Sequence, residues 1–162
     1  MRRISTPFRL ISLAAILLVF GLSSGCQSNT ITVTVPRIER YKLSNPDAPQ
    51  LKIDRALSER AEAYARTRPD AQAWRGQGLS MEPLIPPDAW IVTEMLPYED
   101  LEPGQVVLFN GSSGRRVAHA LVVKTREGWI TVGVNNQQTI DNTRVTRSNY
   151  LGVITAAFVA DK

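Results

Sequence analysis

The apolar positions along this chain change their spacing several times, and each change predicts a different element. Residues 10–22, LISLAAILLVFGL, are apolar with almost no interruption. Ile31-Thr32-Val33-Thr34-Val35 then alternates apolar and polar, which predicts a short strand, and Pro36 ends it. Ser44-Asn45-Pro46-Asp47-Ala48-Pro49 is a turn or loop cluster. Over residues 53–68 the spacing becomes helical: Ile53, Leu57, Ala61, Tyr64 and Ala65 share one face, and Pro69 stops the helix. From Trp74 onward the pattern is one of strands, at residues 90–93, 105–109, 117–124, 129–132 and 152–159. Turn signals part them at Pro86-Pro87-Asp88, Pro103-Gly104, Asn110-Gly111 and Glu127-Gly128. Many short strands at close spacing predict a mainly β fold: an antiparallel, partly closed barrel or sandwich with one N-terminal helix.

The first 25 residues read as an export segment rather than as fold. Arg2, Arg3 and Arg9 make a basic start, the apolar run follows, and Ser23-Ser24-Gly25 supplies small residues before a cleavage point. The run is shorter than the ~20 residues that a bilayer-spanning helix needs. Those three arginines also account for most of the net charge, so the formal +4 falls to +1 (4 − 3) in the rest of the chain. The basic balance therefore gives no reason to expect a nucleic-acid partner. Cys26 is the single cysteine, which excludes an internal disulfide and a Cys-rich metal site. No cofactor is expected. The organisation that results is an export signal at 1–25, a tether or ordered arm at 26–50, a helix packing on the core at 51–70, and a β domain at 71–162.

Leu22-Ser23-Ser24-Gly25-Cys26 resembles a bacterial lipoprotein signal, which implies that Cys26 becomes a lipidated N-terminus after cleavage. Ser23 stands where that family usually has leucine, with Leu22 one place further out. An uncleaved membrane anchor and ordinary secretion are the alternatives. The expected location is the cell envelope, membrane-anchored through the lipid or the apolar segment, with the domain on the extracytoplasmic side.

Four side chains in the β region bear on chemistry. Ser80 sits between two apolar residues in Gly78-Leu79-Ser80-Met81-Glu82-Pro83, at the expected end of a short strand. A serine hydroxyl is a poor nucleophile until a base takes its proton and donors await the oxyanion; the bland reading is a turn serine. His119, the only histidine, follows 39 residues later (119 − 80) in an apolar run. Imidazoles as a class suit general-base work at neutral pH, although a lone histidine in such a run is more often a satisfied core residue. Lys124 is the rival base. Strand alternation puts residues 119, 121 and 123 on one face and Lys124 on the other, beside an exposed turn, so it reads as a surface charge. Asp141, 22 residues after His119 (141 − 119), is the candidate to orient the imidazole. Its alternatives are a turn cap or an ion pair with Arg144.

Six pieces in order carry a resemblance to a known superfamily. They are Gly78 through Pro83, Pro87-Asp88-Ala89-Trp90-Ile91-Val92, Leu101-Glu102-Pro103-Gly104-Gln105-Val106-Val107-Leu108-Phe109, Val117-Ala118-His119, the loop from Gly133 to Asp141, and Tyr150-Leu151-Gly152-Val153-Ile154. Together they resemble the signal peptidases and self-cleaving SOS-repressor peptidases. With histidine in the base position, the likeness is nearest to the endoplasmic-reticulum and archaeal type with a Ser-His pair. The resemblance implies a signal-peptidase type of β fold, and catalysis by Ser80, His119 and Asp141. It also implies cleavage of exported or membrane-anchored polypeptides near a membrane. The departures are Gly78 where signal peptidases have a serine that helps hold the oxyanion, Ala120 for an arginine, Val134 for an aspartate and Gln105 for an aspartate. They leave an alternative: a catalytically weak or inactive lipoprotein that uses the same fold as a binding module. A repressor role is disfavoured, because the sequence predicts no DNA-binding helix pair and does predict export.

Overall fold

The computed structural model describes residues 38–43, 49–136 and 139–160. The export segment, Cys26 and the strand predicted at 31–35 lie outside the described residues. Among the described residues no helix is long and apolar enough to cross a membrane.

The helix α1 spans Gln50–Arg66. It opens on Pro49, whose carbonyl accepts from the N–H groups of Lys52 and Ile53 at 2.9 and 3.2 Å. It closes at Thr67, whose hydroxyl donates to the Tyr64 carbonyl at 2.7 Å. Leu57, Ala61 and Ala65 are buried on one face, as the fourfold spacing predicts, and pack against Val92, Ala156 and Phe158. Alanine at two of these positions puts little side-chain bulk between the helix and the sheet.

Among the described residues seven strands form one sheet: β1 (Glu39–Leu43), β2 (Gln72–Arg75), β3 (Trp90–Glu94), β4 (Val106–Asn110), β5 (Arg116–Thr125), β6 (Gly128–Val132) and β7 (Tyr150–Ala160). Their order is β2-β3-β7-β4-β5-β6, and every pairing along it is antiparallel. β1 pairs in parallel with the second half of β7. Among the described residues the fold is thus mainly antiparallel β with one helix, and the sheet does not close into the barrel that was one of the expected forms. β2 and β6 remain the two ends of an open sheet. The outer edge of β6 pairs instead with a returning segment, through bridges Val132–Ile140 and Trp129–Val145. That edge is therefore already occupied.

Alternate residues of β4 bury on opposite faces, as a period of two requires. Val106 and Leu108 join a cluster with Met81, Ile85 and Ala120. Val107 and Phe109 join another with Leu121, Trp129, Val145 and Tyr150. The alternation predicted for 119, 121 and 123 holds only to Leu121. Register steps from Leu121–Thr131 to Val123–Ile130, which leaves Val122 as a bulge. Leu121 is fully buried and Val123 is exposed.

Part of the stretch read as tether or arm belongs to the sheet. Ile38 is buried beside Met81 and Ile85. The Arg40 guanidinium donates to the carbonyls of Pro83 and Leu84 at 2.7 and 2.5 Å. Glu39 accepts from the hydroxyls of Tyr41 and Tyr64 at 2.6 and 2.9 Å. Burial, reinforced by Glu39, pushes the Tyr64 phenol well above its ordinary value, which keeps it a donor.

Candidate active site

Ser80, His119 and Asp141 meet at one place on the sheet. His119 lies on β5 opposite Val107 of β4, so a central strand pair fixes its backbone. Its side chain is largely enclosed, with the residue 8 % exposed. Nε2 lies 2.9 Å from Ser80 Oγ, and Nδ1 lies 2.5 Å from Asp141 Oδ2. An ionised carboxylate has no proton to donate, so Nδ1–H is the donor to Asp141. That leaves the Nε2 lone pair to accept from the Ser80 hydroxyl.

Ser80 does not end a strand. β2 stops at Arg75, and Ser80 stands in the irregular turn that follows. Met81 next to it is buried in the core and pins this turn. The turn after β6 grips it from the other side. The Asn135 N–H donates to the Ser80 carbonyl at 2.8 Å. Asn135 Nδ2 donates to the Leu79 carbonyl at 3.1 Å. Gly133 makes the approach possible. A Cβ there would stand 2.7 Å from the Ser80 carbonyl oxygen, 2.9 Å from Ser80 Cβ and 3.1 Å from His119 Nε2.

Asp141 arrives on the segment that returns along β6. Its N–H donates to the Thr131 carbonyl at 3.0 Å. The Thr131 hydroxyl donates to Asp141 Oδ2 at 2.6 Å. Arg144 does not form the ion pair considered as an alternative; its Nη1 donates to the backbone carbonyl of Asp141 at 2.8 Å. Lys124 is exposed on the far side of the bulge, with its ammonium over the rings of Tyr98 and Trp129.

The surroundings of Ser80 have donors to spare. Among the described residues, the N–H groups of Ser80 and Met81 have no acceptor, nor do those of Gln77, Gly78 and Leu79. Leu79 is 58 % exposed and Ile140 41 %, so an apolar side chain stands beside both Ser80 and Asp141. Among the described residues no group of three His, Cys, Asp or Glu side chains gathers to hold a metal. A shallow hollow lined by Leu51, Asp54, Arg55, Ser58, Glu59 and Trp90 belongs to α1 and β3 and not to this site.

The sequence brought out Ser80, His119 and Asp141 but not Thr131, and it treated Gly133 and Asn135 only as parts of a resembling loop. Thr131 carried no signal of its own, because a threonine in a β strand is ordinary. Chemically, the arrangement is a hydroxyl, an imidazole and a carboxylate hydrogen-bonded in series, with idle backbone donors at the hydroxyl end. No protein-family model, curated protein or solved structure matches this chain.

Proposed function

We propose that this chain is a serine endopeptidase of the signal-peptidase type, held at a membrane by its N-terminal segment and acting on exported or membrane-anchored polypeptides. The hydrogen-bonded series Ser80–His119–Asp141 is the observation that carries this reading. Ser80 Oγ attacks the scissile carbonyl carbon while His119 Nε2 takes its proton. The tetrahedral oxyanion accepts from the Ser80 N–H and from the neighbouring idle N–H of Met81. These backbone donors take the place of the hydroxyl that Gly78 lacks. The His119 imidazolium, stabilised by Asp141, then protonates the leaving amine as the C–N bond breaks. Water attacks the acyl-Ser80 ester with His119 again as base, and the serine is regenerated. The free N–H groups of residues 77–79 suit an extended substrate added as a further strand beside Ser80.

A fluorophosphonate, which phosphonylates an activated serine, tests the reading. Labelling is expected in the wild type and lost in Ser80→Ala, with a drop of roughly 10³-fold or more in His119→Ala. Labelling that survives His119→Ala rejects His119 as base. A wild-type chain that never labels turns the choice to the binding lipoprotein. Comparing the N-termini of exported proteins with and without this chain then identifies the substrate.

A further inference from the structure

We infer that Thr131 is a positioning residue for the Asp141 carboxylate, and through it for His119. Thr131 Oγ1 and His119 Nδ1 converge on the same oxygen, Asp141 Oδ2, at 2.6 and 2.5 Å. Thr131 is fully buried. It holds Asp141 at two points. Its carbonyl accepts from the Asp141 N–H, and its hydroxyl donates to the Asp141 carboxylate. Thr131 is itself fixed in the sheet opposite Leu121, two residues along β5 from His119. Asp141, by contrast, sits on an irregular segment that has a bridge to β6 at Ile140 and a bond from Arg144 to its carbonyl. The threonine thus transfers the rigidity of the β5–β6 pair to a carboxylate that comes from a loop.

The hydroxyl has two physical effects. A hydrogen bond donated to a carboxylate favours its ionised form. It also stops a side chain that is 23 % exposed from turning toward water. Both keep an aligned anion against the imidazole when it becomes an imidazolium. The catalytic meaning of this role rests on the proposed proton relay, whereas the grip on Asp141 is open to a test that needs no turnover.

His119 is the only histidine, so the full chain labelled with ¹⁵N-histidine gives the signals of a single imidazole. Its ring nitrogens are titrated in the wild type and in Thr131→Val, Thr131→Ala and Thr131→Ser. Valine keeps the shape of threonine and removes the hydroxyl; serine keeps the hydroxyl. T131V removes the side-chain half of the grip on Asp141 and keeps the backbone half, so both the titration curve and the Nδ1–H resonance are expected to move from their wild-type positions. T131S is expected to restore both. Fluorophosphonate labelling of Ser80 in the same samples is expected to slow by roughly 10- to 100-fold in T131V. A folded T131V with the wild-type titration and Nδ1–H resonance overturns the inference, as does a folded T131S that fails to rescue them. Should T131V not fold, T131A supplies the same comparison. A wild type that never labels refutes the hydrolase, and the imidazole titrations still decide the role of Thr131.

Discussion

Gly133 lies against Ser80 and His119 so closely that its lack of a side chain is a steric requirement. With a Cβ 2.7 Å from the Ser80 carbonyl oxygen, Gly133→Ala has no room unless one of the two turns moves. That overpacking is expected to cost about 1–3 kcal/mol, read as a shift of the urea midpoint. Labelling of Ser80 should fall by more than the folded fraction does, because the displaced atoms include those next to Oγ and Nε2. Asp141→Asn makes the complementary change, keeping the shape and removing the charge. Its labelling rate is expected to fall by roughly 10³- to 10⁴-fold, with the fold retained by circular dichroism. A D141N rate close to wild type would mean that Asp141 caps a turn and does not support His119. Ser80 and His119 were legible because their residue types are chemically marked and their local runs are distinctive. Asp141 was legible as a candidate carboxylate downstream of His119, but its own neighbours left a turn cap and an ion pair with Arg144 open, and only the resembling loop favoured the imidazole. Thr131 was silent, because its meaning comes from a partner ten residues away across a turn.

Among the elements, β3 to β7 could be read from alternation and turn signals, and α1 from the fourfold spacing of Ile53, Leu57, Ala61 and Ala65. β1 could not. Its sequence, Glu-Arg-Tyr-Lys-Leu, offers charges at most positions and no clean alternation. Among the described residues it pairs with β7 alone, and its charged side chains stay exposed. The bulge at Val122 was equally hidden, since a continuous apolar run looks the same in register or one residue out. β1 nevertheless bears on the site. Arg40 bonds the carbonyls of Pro83 and Leu84, in the turn that carries Ser80. Arg40→Ala is expected to lower global stability by less than about 2 kcal/mol. Amide exchange should speed up at Glu82 and Ile85, whose N–H groups bond the Leu79 and Met81 carbonyls within this turn, measured by mass spectrometry. Unchanged exchange there would show that Met81 and Ile85 hold the turn through burial alone.

At the scale of the whole molecule, Phe158 joins the helix side of the sheet to the strand that reaches the site. It is buried against Leu57, Ala61 and Ala65 of α1. It also stacks on Tyr41 of β1, with ring centroids 4.7 Å apart, and meets Tyr64 edge-on at 5.6 Å. Phe158→Ala is therefore expected to cost about 3–5 kcal/mol in urea unfolding, as a buried aromatic truncation does. Its effect on the site should be graded by distance along the structure. β1 loses its aromatic contact, so Arg40 holds the Pro83–Leu84 carbonyls less firmly, and amide exchange at Glu82 and Ile85 in folded molecules should rise toward that of Arg40→Ala. His119 and Asp141 belong to β5 and to the segment along β6, which do not use Phe158. The single imidazole signal of folded F158A should therefore keep its wild-type position. If that signal moves as well, α1 and the β5–β6 end of the sheet respond as one unit, and β1 is not the route between them.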